Sequence, residues 1–164
     1  MSTRSNIRVL CSDNKVRSVY CHFDGYGHLP TLQENYNSQE LAERLVALGD
    51  LSSLAESMEC PEGHDFENQV DGYCVAYCRD RDEPWDEEQP ELSTYQKIVL
   101  EFGVKPFDMP RIKHGVGFRT YDSFQEAWDD NQDSWIEYVY EWDGAWKKYD
   151  CHKAKSRSEC QVAV

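Results

Sequence analysis

Five histidines, seven cysteines and 31 carboxylates give this 164-residue chain ample material for chemistry. The densest cluster is Tyr20-Cys21-His22-Phe23-Asp24-Gly25-Tyr26-Gly27-His28. His22 and Asp24 lie two apart at the end of a predicted strand, so their side chains leave on one face. Gly25 permits a turn that brings Tyr26 and His28 back towards them. Such a group suits general acid–base work or a small-ligand site, and equally a polar network that fixes the turn. We read it as the network. The alternative is a site for a nucleotide-like ligand, or a small hydrolase, built from His22, Asp24, Tyr26, His28, Arg79 and Arg81.

Cys21 and His22 are adjacent on a strand and point to opposite faces, so they cannot form a nucleophile–base pair. Cys60 with a distant histidine stays open. Cys60-x3-His64 and Cys74-x3-Cys78 tempt a zinc assignment. On a strand, however, Cys74 and Cys78 would stand about 13 Å apart, too far to share an ion. No metal and no cofactor is expected. No G-x-S-x-G, phosphate-binding P-loop or H-E-x-x-H occurs, and the expectation is a binding protein rather than an enzyme.

The chain carries a net charge of -14. This disfavours direct binding to nucleic acid or to an anionic membrane, both of which attract Lys and Arg. The charge is uneven: -3 over residues 1–60, -9 over 61–110 and -2 over 111–164. Residues 79–91 hold seven carboxylates and two prolines, which predicts an exposed loop. Asp80, Asp82, Glu83, Asp86, Glu87 and Glu88, with Asp129, Asp130 and Asp133 further on, form a candidate acidic surface for a partner with a basic face. Carboxylates on a rigid frame can imitate a phosphate backbone.

The elements that would position these groups follow from periodicity. Residues 6–11 and 16–23 read as a hairpin, with Val19, Cys21 and Phe23 towards the core. Leu29 to Gly49 reads as helical, with an apolar stripe at Leu41, Leu45 and Leu48 and a cap at Asn37 or Ser38. Residues 50–72 read as irregular connection, with one short helical turn at 50–54. Tyr73–Cys78 reads as a strand, 92–102 as a helix, 116–121 as a short strand, and Ser123 as the cap of another helix. Residues 135–151 read as a hairpin turning at Asp143-Gly144. The expected fold is α+β: one domain over 1–152, with an antiparallel sheet and helices mainly on one face, then a flexible tail at 153–164. No apolar run reaches the roughly 18 residues of a membrane span. The N-terminal stretch lacks the apolar core of a signal peptide, which suggests a cytoplasmic protein with reduced thiols.

Four blocks carry a resemblance: Met1–Ile7 (MSTRSNI), Val19–Tyr26 (VYCHFDGY), Ala47–Leu54 (ALGDLSSL) and Tyr77–Arg81 (YCRDR). Together they resemble a family of small phage and prophage proteins of unassigned function. The likeness covers roughly the first half of the chain and stops at Asp82. It implies a phage setting and a host-cell location, and brings no reaction, cofactor or catalytic residue. In that setting a small acidic accessory protein is expected to bind and modulate a host or defence protein.

Overall fold

Alternating apolar and polar residues build the first hairpin, β1 (Ser5–Leu10) and β2 (Val16–Cys21). The computed structural model describes residues 2–91, 103, 112, 114–131, 135–153 and 156–163. Asn14 closes the hairpin turn in the left-handed conformation that Asn tolerates, at φ 64°. Across the pair Ile7 faces Val19 and Arg8 faces Ser18. Ile7, Val9, Val19 and Cys21 therefore share one sheet face, and Asn6, Arg8, Ser18 and Tyr20 share the other.

Among the described residues the sheet has seven strands, in the order β4-β3-β2-β1-β6-β7, with β5 also on β2. The remaining strands are β3 (Leu51–Ser53), β4 (Val75–Ala76), β5 (Arg119–Tyr121), β6 (Tyr138–Trp142) and β7 (Trp146–Asp150). Most pairs are antiparallel, as expected, but β1–β6 and β2–β3 are parallel. The sheet is mixed. Residues 51–53, expected in a helical turn, form a strand because Leu51 pairs with Cys21 of β2.

The helices are α1 (His28–Asn35), α2 (Gln39–Val46), α3 (Tyr77–Arg81), α4 (Phe124–Asp130) and α5 (Arg157–Cys160). Ser38, not Asn37, caps α2, its hydroxyl accepting the Leu41 N–H at 3.2 Å. Ser123 caps α4 in the same way through the Glu126 N–H. Leu32 and Tyr36 from the α1 segment and Leu45 from α2 join Ile7, Val9, Val19 and Cys21 in the main core. On the opposite face Trp128 of α4 and Cys160 of α5 pack with Val139 and Tyr149 in a smaller one. Helices thus cover both faces rather than mainly one. The physical reason is that β1 and β6 sit in the middle of the sheet, where both faces must be shielded.

Three further expectations change. Tyr73–Cys78 is not one strand: β4 covers only Val75 and Ala76, and Cys78 lies in α3. Phe23 lies past the end of β2 and is exposed, while Val19 and Cys21 are buried as expected. Residues 156–163 do not run free. Cys160 is buried, Val162 N–H donates to the Lys148 carbonyl at 2.8 Å, and Arg157 reaches Glu141. The 92–102 helix falls outside the described residues. No described helix is long and apolar enough to cross a membrane.

Candidate functional site

The Tyr20–His28 turn is filled by its own backbone and by the 138–150 hairpin. Gly25 N–H donates to the Thr3 carbonyl at 2.8 Å, and a β-carbon at Gly25 would stand 2.6 Å from that oxygen. The Tyr140 hydroxyl donates to the Gly25 carbonyl. Lys148 Nζ donates to the Tyr26 carbonyl at 2.7 Å and sits 4.0 Å from the centre of the Tyr26 ring. His22 shares a 2.6 Å hydrogen bond with the Tyr20 hydroxyl rather than with Asp24, which is exposed at φ 59°. His28 is buried against Tyr140, and among the described residues nothing pairs with its Nε2. Burial lowers its pKa to about 4, so it is neutral at physiological pH.

Arg79 and Arg81 do not converge on this turn. Arg81 stacks over the Phe66 ring at 4.7 Å. Arg79 is buried, donating to Asp80 through Nε (2.8 Å) and Nη2 (3.0 Å) and to the Cys74 carbonyl (3.0 Å). Asp80 also accepts the Ala76 N–H at 2.8 Å, and Cys60 Sγ lies 3.7 Å away. Val70 N–H donates to His64 Nδ1 at 2.9 Å, so Nε2 carries the proton and donates to the Cys74 carbonyl at 3.1 Å. With both ring nitrogens committed to backbone, His64 cannot serve Cys60 as a base. The Cys60, His64 and Asp80 trio is a structural clamp that ties residues 58–80 to the sheet. No three His, Cys, Asp or Glu side chains among the described residues are grouped to hold a metal ion.

That clamp changes the acidic surface. Asp80 and Asp86 are buried, so neither can face a partner, and Trp85 beside them is a core residue. The 79–91 segment is therefore anchored rather than loose. Asp82, Glu87, Glu88, Asp129 and Asp130 are exposed, Glu83 is half-buried, and Asp133 lies outside the described residues. Glu56, Glu59, Glu62, Asp65, Glu67, Asp71 and Glu91 join them at the surface. Between residues 56 and 91 the only exposed cation is Arg81. These extra carboxylates were visible in the sequence but scattered. The clamp ties their segment to the start of the 82–91 group, through Arg79 to the Met58 and Cys74 carbonyls and through the Phe66 N–H to the Asp80 carbonyl.

A cavity of about 650 Å³ opens elsewhere, on the sheet face that carries Asn6, Ser18 and Tyr20. Its walls include Arg4, Asp50, Arg119, Tyr121, Asp130 and Trp135. Gly49, left-handed at φ 76°, turns the chain out of α2 so that Asp50 enters beneath the edge of β2. There Asp50 accepts the Tyr20 N–H at 2.9 Å and Arg119 Nη1 at 3.0 Å. Burial raises the Asp50 carboxyl to about 6 in spite of Arg119. None of these residues except Asp130 was a sequence candidate. Asp50 directly after a helix-ending Gly49 was the one local signal.

Asp50 and His28 make opposite demands on protons. Folded Asp50 holds its proton more tightly than the unfolded chain, whose ordinary value is 3.8. Its contribution is full at low pH and is lost as pH rises through about 6. Folded His28 holds its proton more weakly than the ordinary 6.5, so its contribution is lost as pH falls towards about 4. Between neutral pH and about 4.5, Asp50 adds about 2 kcal/mol of stability and His28 removes about 2–3 kcal/mol. In urea unfolding, His28→Gln should therefore gain stability on acidification relative to the parent, and Asp50→Asn should lose it. Parallel pH profiles for all three proteins would refute both assignments.

No family model, no curated protein and no solved structure matches the chain.

Proposed function

We propose that this is a small acidic accessory protein of a phage that acts in the host cytoplasm, binding a host or defence protein that presents a basic surface. The observation behind it is the shell over residues 56–91, where exposed carboxylates face solvent with Arg81 as the only exposed cation. Imitation of a phosphate backbone needs charges held in place, and the Arg79–Asp80 clamp holds this segment from beneath. Asp82, Glu87, Glu88 and Glu91 form one run of the binding surface, and Glu56 to Asp71 the other. The protein works by occupying a groove meant for a polyanion, and no bond is made or broken.

The test is the association rate of the captured host partner at two ionic strengths. Raising salt from about 0.05 M to about 0.5 M should slow association at least tenfold, because screening shortens the reach of surface charge. Neutralising Asp82, Glu87, Glu88 and Glu91 to their amides should flatten that salt dependence while the melting temperature holds. A rate indifferent to salt, with the parent and the amide variant binding alike, would eliminate the acidic mechanism.

A further inference from the structure

The cavity beside α4 is separate from the acidic shell and is lined by a different kind of chemistry. Its floor holds Asn6 and Ser18, only 5% and 4% exposed. Among the described residues no side-chain hydrogen bond engages the Asn6 amide, which borders the cavity and is free to meet a polar ligand there. It faces an open volume with one donor group and one acceptor to offer. Tyr20, Tyr121 and Trp135 supply aromatic walls, and Trp135 is 82% exposed, an unusual position for the largest apolar side chain.

The charges around this space are arranged in two states. Arg119 is already taken by Asp50 and by the carbonyls of Gly115 and Gly117. Arg4 has no carboxylate partner among the described residues, and its guanidinium stands against the Tyr20 hydroxyl. Asp130 accepts the Tyr121 hydroxyl at 2.6 Å and keeps a second carboxylate oxygen at the rim. A volume of about 650 Å³ lies within the range of small-molecule sites.

We propose that this cavity binds a nucleoside monophosphate, with the base over Asn6 and against Trp135, the ribose hydroxyls at Asp130 and the phosphate at Arg4. A flat heteroaromatic ring satisfies the aromatic walls and the amide floor together, which an aliphatic anion does not. A single phosphate fits Arg4, the one cation among the described lining residues that no carboxylate holds. A polynucleotide is disfavoured by the overall charge of -14. The inference stands apart from the acidic shell, since it draws on none of residues 56–91.

The experiment titrates the full chain with the 5′-monophosphates of adenosine, guanosine, cytidine and uridine, read by calorimetry and by tryptophan fluorescence. Inorganic phosphate, the four nucleosides and a tetranucleotide form the comparison arms. At least one monophosphate should bind, its nucleoside about tenfold more weakly, and inorganic phosphate and the tetranucleotide not at all. Trp135→Ala, at an exposed position, should keep the melting temperature, weaken binding about tenfold and remove most of the fluorescence change. Arg4→Ala should weaken the monophosphate to the level of the nucleoside without affecting the nucleoside itself. The proposal is overturned if no monophosphate binds at millimolar concentration or if Trp135→Ala and Arg4→Ala bind like the parent. Inorganic phosphate binding equally well, or the tetranucleotide binding more tightly, would overturn it too.

Discussion

Asp80→Ala should destabilise the protein by about 3–5 kcal/mol, because it strands the Arg79 guanidinium in the interior without its counter-charge. Asp80 accepts two bonds from Arg79 and one from the Ala76 N–H, and lies 3.6 Å from His64 Nε2. Its removal leaves Arg79 with backbone carbonyls alone. The loss should be local before it is global, with amide exchange accelerating over residues 58–80 while β1 and β6 stay protected. Pairing Asp80→Asn with Arg79→Met, which removes the charge and keeps an apolar stem, should restore at least half of the stability. Urea unfolding of the parent and of these two variants measures this. A loss below about 1 kcal/mol for Asp80→Ala would mean that the clamp does not hold the acidic shell.

Glu141→Ala should cost a comparable about 3–5 kcal/mol on the other sheet face. Glu141 is 1% exposed and serves two arginines: Arg157 through bidentate bonds, and Arg8 at 3.9 Å. Arg8 is fully buried, and its Nη2 donates to the Ala127 carbonyl at 3.2 Å. Burial pushes the Arg8 pKa down, and Glu141 is the strongest influence opposing it. Without the carboxylate, both guanidinium groups lose their anion and α5 loses its tether to β6. Arg157→Ala should cost much less, about 1 kcal/mol, because Arg157 is partly solvated and Arg8 keeps its partner. Equal effects of the two substitutions in thermal unfolding would show that Arg8 does not depend on Glu141.

The contrast between these two ion clusters and the elements around them shows what could be read from residue order. Ser38 and Ser123 announced their helices because a cap is a contact within one turn. The 6–23 and 135–151 hairpins declared themselves through alternation and a short turn. In the second, residues 143–145 connect Trp142 to Trp146 rather than the two residues Asp143 and Gly144 alone. Parallel pairing leaves no such mark, so β3 looked like connection and β6 like a partner of β7 only. The sheet face was misjudged for the same reason. Arg8 and Glu141 lie on the face away from the main core, and only α4 and α5, distant in sequence from Arg8, bury them. The cavity was less legible still. Asn6, Asp50 and Trp135 come from distant parts of the chain, and their meeting depends on where α4 and β5 cross β2. His22 and Asp24, two apart in sequence, point to a site that begins two residues after Tyr20, which does line a cavity.

The pairing of β1 with β6 also sets when the protein can be finished. Ser5 lies opposite Tyr138, so the middle of the sheet closes across nearly the whole chain. A ribosome adding about 5–20 residues per second releases the first hairpin several seconds before its central neighbour exists. During that interval β1 presents an open edge bearing Ile7 and Val9, with Arg8 not yet paired to Glu141. Such high contact order slows folding and favours association of unfinished chains. Premature termination anywhere before the second hairpin should therefore yield aggregates rather than a smaller folded protein.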